Sequence, residues 1–307
     1  MTTDAFALPA LPRVGGANRF AFHAMPVAAV LAFLIIGWYA LAVGLNSMQV
    51  ADRFKRDGIT WTTPQFLAGT WSMERPVLPA PHQIAQDFYQ TVFATPVTSK
   101  RSLVYHAGVT VSATLVGFIF GSILGIALAI GIIHLPVLDR SLLPWIIASQ
   151  TVPILAIAPM VVVVLGNAGF TGLLPKAVIS MYLCFFPVTI GMVKGLRSPD
   201  ALQLDLMRTY SASRAQVFRK LRWPAATSFL FASLKVAIAG SLIGAIVGEL
   251  PTGAQAGLGA RLLSGSYYGQ TMQIWSALIM ASLVGVVLVC IVALAERLVM
   301  RKQGVPT

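Results

Sequence analysis

The sequence predicts an all-α, polytopic membrane protein with six transmembrane helices. Of its 307 residues, 57% are hydrophobic and 10% are charged, which leaves too little polar surface to cover a soluble domain of this size. Six apolar stretches approach the length of about 20 residues that one helix needs to cross a bilayer. Helices are expected because lipid offers no hydrogen-bond partner to an exposed backbone. The composition therefore excludes a secreted or cytosolic enzyme.

The first span is predicted over residues 24–44, after a cytoplasmic N-terminus of residues 1–23. Its apolar run is longer than a signal-peptide core and no small-residue cleavage site follows it, so we expect an uncleaved helix. Residues 45–107 form a polar segment that contains several prolines and two tryptophans, Trp61 and Trp71. This composition is typical of an ordered segment at the membrane surface, which we place on the periplasmic side.

Five further spans are predicted within residues 108–295, and residues 296–307 form a cytoplasmic tail. The predicted bounds of these spans are residues 108–132, 142–165, 173–193, 226–248 and 272–295. In the first of the five, three glycines recur every four residues and leave one helix face bare, so another helix can pack closely there. These glycines are Gly117, Gly121 and Gly125. Residues 251–270 are rich in glycine and too polar to cross the membrane, which predicts a re-entrant or surface-lying loop.

The distribution of basic residues predicts the orientation of the chain. The net charge is +12 at pH 7, but basic residues between apolar spans are explained more simply by topology than by nucleic-acid binding. The two termini and the connections on their side hold thirteen Lys and Arg residues, and the opposite connections hold eight. Because positive charge accumulates on the cytoplasmic side, both termini are predicted to be cytoplasmic. No nucleic-acid partner is expected.

The loop at residues 194–224 holds seven of those thirteen basic residues. A Ser-Pro pair at residues 198–199 predicts the start of a first short helix, since serine caps free amides and proline suits the first helical position. Ser213, with Gln216 three residues later, predicts a capping box that opens a second helix, and Pro224 is expected to close it. Two short helices would form a rigid knob for a partner, although the spacing alone also fits an ordinary solvated loop.

The same loop carries a specific spacing of residues. Asp205-Leu206-Met207 is followed after three residues by Ser211, and after nine more by Leu221 and then Trp223-Pro224. This pattern resembles the EAA loop of bacterial ABC importer permeases, which has Glu-Ala-Ala, Gly and Ile-x-Leu-Pro at those positions. Three further segments resemble the nitrate/sulfonate/taurine branch of these permeases, at residues 78–81, 151–159 and 185–187. The resemblance covers residues 78–297.

The loop also departs from the family pattern. Leu206 and Met207 are bulkier than the two alanines, which implies a differently shaped socket on the partner. Ser211 stands where the family has glycine. If that glycine ends the first helix in a left-handed conformation, serine costs on the order of 1 kcal/mol at this position.

The resemblance implies a type I ABC importer permease fold with cytoplasmic coupling helices, in a multi-pass protein of the bacterial inner membrane. It implies that the loops of a permease dimer enter clefts on two ABC ATPase subunits, and that the second permease is a copy or a paralogue. It further implies a periplasmic substrate-binding protein that delivers the cargo, and membrane lipids around the spans. The residues predicted to couple the chain to the ATPases are Asp205, Arg208, Thr209, Ser211, Ala212, Ser213, Arg214, Leu221 and Pro224.

We expect no catalytic residue, cofactor or metal site in this chain. None of its seven lysines follows a glycine, so the sequence lacks the GxxxxGK(S/T) loop that binds nucleotide phosphates. ATP and Mg are therefore expected on the partner ATPase subunits. A secondary transporter is the main alternative, but such a protein normally needs acidic or histidine groups within its spans. The residues that qualify for such a role are Lys235 within the fifth span and Glu249 at its end.

Polar residues inside apolar spans are the candidates for the substrate pathway. They are Ser149, Gln150 and Thr151, which precede Pro153 on the third span, and Glu249 at the end of the fifth. The three residues of the third span fit helix packing as well as a pathway. Glu249 fits a gate, a contact that fixes a loop, or a solvated carboxylate.

The spans contain few fixed cations, which favours a small neutral or heterocyclic organic solute over a highly charged anion. Residues 248–269 resemble permeases associated with pyrimidine-type or vitamin-precursor cargo. Sulfonates and nitrate-like anions, the cargo of the wider branch, stay open as alternatives. The sequence equally leaves open whether the permease dimer contains two copies of this chain.

Overall fold

The computed structural model describes residues 16–251 and 255–302, with the backbone alone for residues 16–24. Two ends of the predicted layout, residues 1–15 and 303–307, lie outside the described residues, as do residues 252–254 of the predicted loop. All regular elements in the described part of the chain are helices, which confirms the all-α fold.

The helices follow one another along the chain with short connections. In order they are α1 (Gly16–Arg56), α2 (Thr63–Trp71), α3 (Pro81–Tyr89), the π-helix π1 (Gln90–Ala94), α4 (Leu103–His134), α5 (Pro136–Ser149), α6 (Ile154–Asn167), α7 (Leu173–Leu196), α8 (Ala201–Thr209), α9 (Arg214–Val217), the π-helix π2 (Phe218–Arg222), α10 (Trp223–Glu249), α11 (Leu258–Tyr267) and α12 (Thr271–Lys302).

Among the described residues, five helices are long and apolar enough to cross a membrane, and there are six candidate spans if the α5–α6 pair is counted as one. This agrees with the six predicted spans in number. The third span differs in shape, because α5 and α6 meet at an angle of 100° instead of forming one straight helix over residues 142–165. The break ends at Pro153, which has no amide hydrogen and disfavours helical backbone in the residue before it.

The described chain forms two compact units, which divide between Gln83 and Ile84. In the first unit, α1 continues to Arg56, well past the predicted end of the span at residue 44. Asn46 lies within this helix and is fully buried. Its side-chain amide donates to the carbonyl oxygens of Thr70 and Leu78 and accepts from the amides of residues 77 and 78. This asparagine ties the segment that follows α2 back onto α1.

The second unit is built on α4, α7 and α10. The three predicted glycines of α4 face α7, where a β-carbon on each would overlap with Ser180, Cys184 or Val188. The prediction that this face packs closely against another helix is therefore confirmed. Buried apolar side chains of these helices form the core, and they include Ala129, Ile132, Cys184, Val188, Met192, Leu196 and Ala237.

Two further differences concern the end of the chain. The predicted loop at residues 251–270 contains a ten-residue helix, α11, which starts at Leu258. The last helix, α12, runs from Thr271 to Lys302 and therefore includes part of the predicted cytoplasmic tail. Both helices belong to the second unit, and the N-terminal turn of α11 contacts Glu249 at the end of α10.

Candidate functional site

The predicted loop at residues 194–224 contains a two-helix knob, which we define as residues 201–222. Its first helix, α8, is capped by Asp200, whose carboxylate accepts a hydrogen bond of 2.7 Å from the amide of Ala201. The predicted start at the Ser-Pro pair is wrong. The Ser198 hydroxyl instead donates to the carbonyl of Gly195 at the end of α7, so Asp200 is the residue left to cap the new helix.

The turn between the two helices of the knob is left-handed at Ser211, with φ of 51°. The Ser211 amide donates to the carbonyl of Arg208 at 2.8 Å, and the Ala212 amide donates to the carbonyl of Met207 at 3.0 Å. This pair of hydrogen bonds is a Schellman motif, which normally places glycine at the left-handed position. The expected left-handed conformation at Ser211 is therefore confirmed.

Asp205 interacts with its helical neighbours on α8. Its carboxylate lies 2.9 Å from Nη1 of Arg208, while the Thr209 hydroxyl donates to the Asp205 backbone carbonyl at 3.1 Å. The side chains of the ion pair are 62% and 81% exposed for Asp205 and Arg208, and exposed pairs of this kind add little stability. Both charges therefore remain accessible to a partner.

The second helix of the knob starts as predicted. Ser213 and Gln216 form a capping box, in which each side chain binds the backbone amide of the other residue. The predicted end at Pro224 is wrong, because α9 continues through π2, which contains Leu221, into α10. Proline is tolerated here because π2, directly before it, already interrupts the regular hydrogen-bond pattern of the helix. The knob is consequently joined to α10 without a break.

One face of α8 presents an apolar stripe to the surroundings. Leu202, Leu206 and Tyr210 are spaced by four residues, which places them above one another on the helix. They are 77%, 56% and 76% exposed. A stripe of large apolar side chains on a short basic knob is a surface suited to docking in a cleft.

A second polar constellation, the turn clamp, lies at the other end of α10. We define the clamp as His106, Thr110, Lys176 and Glu249, which hold the turn at residues 256–259. Glu249 is fully buried, and its carboxylate accepts hydrogen bonds from the Thr110 hydroxyl at 3.0 Å and from the amide of Gly259 at 2.9 Å. The carboxylate is therefore held by donors from two helices.

The rest of the clamp binds the remaining residues of the turn. The amide of Leu258 donates to the Thr110 hydroxyl at 2.9 Å, and the amide of Gly257 donates to Nδ1 of His106 at 3.0 Å. The ammonium of Lys176 donates to the carbonyl of Ala256 at 2.8 Å and lies 3.6 Å from the Glu249 carboxylate. Each residue from 256 to 259 thus has a backbone group bound by a clamp side chain.

The His106 ring is oriented by its two partners. Because Nδ1 accepts from Gly257, the ring proton belongs on Nε2, which lies 2.9 Å from the carbonyl of Lys100 and donates to it. Close by on α11, burial lowers the pKa of the Arg261 guanidinium, and the negative charge of Asp87 opposes that shift. The additional cation near the clamp is therefore offset by an acidic partner.

The structure excludes one of the three alternatives for Glu249. A solvated carboxylate is excluded, and a contact that fixes a loop is what the geometry shows. Sequence reasoning missed His106, Thr110 and Lys176 as members of a site, because their hydrogen-bond partners on Glu249 and the clamped turn are 80 or more residues away in the sequence. A usable signal was the four-residue spacing of His106 and Thr110, which puts both polar side chains on one face of an apolar helix.

The other pathway candidates lie at the break between α5 and α6. The hydroxyls of Ser149 and Thr151 donate to backbone carbonyls one turn earlier, and Gln150 is exposed. Pro153 caps the start of α6, and the Tyr182 hydroxyl of α7 donates to the Ser149 carbonyl. The bend between α5 and α6 contacts the middle of α7, whereas the clamp residue Lys176 lies at the start of α7. The two groups of candidates are therefore at different levels of α7.

A cavity of about 660 Å³ opens beside the clamp, and we call it the outer groove. It lies against the start of α4, the end of α6, the start of α7 and the end of α10. Its wall includes the clamp residue Lys176 and the residue Ala256 of the clamped turn. The aromatic and polar side chains that line it are Tyr105, Ser112, Phe170, Thr171 and Gln255.

Comparison with known proteins identifies the kind of protein to which these features belong. Residues 117–304, which include the knob and the clamp residues Lys176 and Glu249, match the family described as binding-protein-dependent transport system inner membrane component. The chain belongs to this family. It is a transmembrane permease subunit of an ABC importer, and the secondary-transporter alternative is not favoured.

Several curated permeases are similar to this chain. The riboflavin transport system permease protein RibX of Chloroflexus aurantiacus is 28% identical over 294 residues, which cover 95% of this chain and 96% of the relative. The formylaminopyrimidine transport permease protein ThiX of Halalkalibacterium halodurans is 30% identical over 60% of this chain and 68% of the relative. A probable ABC transporter permease protein of Haemophilus influenzae is 29% identical over 70% and 82%.

Proposed function

We propose that this permease is driven by two separate ATPase subunits that bind the knob, together with a second permease that is a copy or a paralogue. A periplasmic binding protein delivers the cargo to the opposite side. The observation that carries the proposal is the construction of the knob. Two capped helices are joined by a Schellman turn and continue into a membrane-spanning helix without a break.

This construction lets the knob transmit a displacement. A capped helix and a hydrogen-bonded turn resist deformation, so a push on α8 is passed to α9 and π2. From there α10 extends over 27 residues to Glu249, a length of about 40 Å. Motion at the knob is therefore conveyed to the clamped turn at the far end of the same helix.

The proposed orientation places the knob and both termini in the cytoplasm and residues 45–107 in the periplasm. The excess of basic residues on the side of the knob supports it, since this bias sets the orientation of membrane proteins. In this arrangement the outer groove and the turn clamp face the periplasmic side. ATP and Mg bind to the partner ATPase subunits, because this chain has no phosphate-binding loop of its own.

The cargo that we propose is a small heterocyclic organic solute. Two similar permeases carry names that refer to such compounds, riboflavin and formylaminopyrimidine. The scarcity of fixed cations within the spans also favours a neutral solute over a highly charged anion. Its uptake by membranes that contain the permease, the ATPase and the binding protein is the direct test of this part of the proposal.

The docking role of the knob is tested with an apolar-to-charged substitution on its exposed stripe. Leu206→Asp is expected to abolish co-purification of the ATPase and hydrolysis stimulated by the binding protein, while the spans stay folded. Val97→Asp is the matched control, because Val97 is also exposed but lies outside the knob. Undiminished ATPase binding by Leu206→Asp would show that the stripe is not the docking surface.

A further inference from the structure

The outer groove has the size and the lining of a small-molecule site. We propose that it binds cargo in the form of a planar heterocycle with ring carbonyl groups, and that Lys176 donates a hydrogen bond to one of those carbonyls. The inference rests on the proposed heterocyclic cargo and adds the place and the residues that recognise it.

The volume of the groove selects against the smallest cargo of related permeases. Its 660 Å³ falls within the range of about 300–1,000 Å³ that is usual for small-molecule pockets. A nitrate ion would occupy a minor part of that space and leave the rest to water. A ring system fills it, and the side chain of Phe170, which is 53% exposed, offers a face on which such a ring can stack.

The charge balance of the groove selects a neutral ligand with acceptor atoms. Among the described residues that line it, Lys176 is the charged one. Its ammonium is 3.6 Å from the buried carboxylate of Glu249, so the positive charge is already compensated. A free anion would gain little attraction there, whereas a carbonyl oxygen needs only a donor.

Lys176 has such a donor available. A lysine ammonium carries three N–H donors, and the described structure gives it two partners, the carbonyl of Ala256 and the carboxylate of Glu249. The side chain is nearly buried, with 9% of the residue exposed, which fixes the position of the remaining donor. The hydroxyl of Ser112 and the amide of Gln255 supply further polar contacts on the same wall.

The same lysine links the groove to the clamp. The ammonium of Lys176 also holds the Ala256 carbonyl, while His106, Thr110 and Glu249 hold residues 257–259. A ligand carbonyl on the third donor would thus share Lys176 with the first residue of the clamped turn. That turn follows α10, which starts at the knob.

The test uses the permease with its ATPase subunits in nanodiscs and follows the quenching of riboflavin fluorescence. Phe170→Ala and Lys176→Gln are each expected to weaken binding by about tenfold or more, as expected for loss of a stacking contact or a charge-assisted hydrogen bond. Lys235→Gln is the matched control, because Lys235 is paired with Glu296 on α12 and lies outside the groove. Uracil is expected to compete with riboflavin, and nitrate and methanesulfonate are not.

Two outcomes would overturn the inference. If Phe170→Ala and Lys176→Gln bind riboflavin as tightly as the wild type, the groove is not the site, even where riboflavin uptake by the wild type supports the proposed cargo. If the wild type binds nitrate or methanesulfonate and none of the heterocycles, the ligand class is wrong. Phe170 is exposed, so its variant decides the question even if Lys176→Gln fails to fold.

Discussion

The carboxylate of Glu249 occupies the space that a β-carbon on Gly257 would need. The backbone of Gly257 also has φ of +128°, a conformation that residues with a β-carbon rarely adopt. Glycine is therefore required at this position for two independent reasons. The clamp closes tightly around the turn only because this residue has no side chain.

The first prediction concerns this glycine. Gly257→Ala should destabilise the solubilised permease by about 2 kcal/mol or more, since the strained backbone alone costs on the order of 1–3 kcal/mol and the methyl group displaces Glu249. Gly108→Ala on α4 is the control, because its β-carbon meets no atom within 4 Å. The difference in stability is measured by heating each solubilised variant and quantifying the folded fraction by size-exclusion chromatography. Equal stability of the two variants would contradict the described clamp.

The second prediction concerns the buried pair of Lys176 and Glu249. Lys176→Met and Glu249→Gln should each lower the free energy of unfolding, because each leaves a buried partner without its counter-charge. The double variant should lose less than the sum of the two, with an interaction energy of about 1–3 kcal/mol. The free energies of unfolding of the wild type, the two single variants and the double variant are measured by reversible unfolding in mixed micelles. Strict additivity would mean that the two groups do not interact.

The third prediction concerns the left-handed turn of the knob. Ser211→Gly should stabilise the turn by on the order of 1 kcal/mol, because glycine has no β-carbon to strain at φ of 51°. Ser211→Val should weaken it and reduce ATPase co-purification, with the spans intact. Ser282→Val on α12 is the control, since Ser282 is an exposed helical residue outside the knob.

The readout for these variants is ATPase co-purification together with hydrolysis stimulated by the binding protein in nanodiscs. Full docking and stimulation by Ser211→Val, combined with failure of Ser211→Gly, would mean that the turn is not left-handed. The role of residues 201–222 as the coupling element would then lose its physical basis.

The fourth prediction concerns orientation. The experiment uses a variant in which Cys184 and Cys290 have been replaced. A single cysteine introduced at Gln90 should react with a membrane-impermeant reagent from outside intact cells. A cysteine at Lys220, on the knob, should react only after the membrane is opened. Both positions are exposed. Labelling of Gln90→Cys only from inside would overturn the proposed topology.

Local signals in the sequence predicted the knob well. A capping box depends on residues three apart, and a left-handed turn depends on the few residues that end a helix. Ser213 therefore caps its helix as its neighbours dictate, whereas the left-handed turn at Ser211 was expected from the glycine of the family pattern. Ser198 and Pro224 each fit two local structures, and at both positions the prediction was wrong. The Ser198 hydroxyl binds the preceding helix instead of capping the next one. Pro224 lies in the first turn of α10 instead of ending α9.

Local spacing pairs His106 with Thr110 on one face of α4, but the rest of the clamp depends on contacts between helices. Glu249 is separated by 139 residues from Thr110, and the two meet only because the glycines of α4 let α7 pack closely and α10 joins the same bundle. Composition determines that this chain lies in a membrane as helices, since its apolar stretches have the length of helical spans and a helix satisfies its own backbone hydrogen bonds. Helix packing decides which polar groups face each other inside the bundle, because a polar side chain in an apolar span must find its partner on another helix.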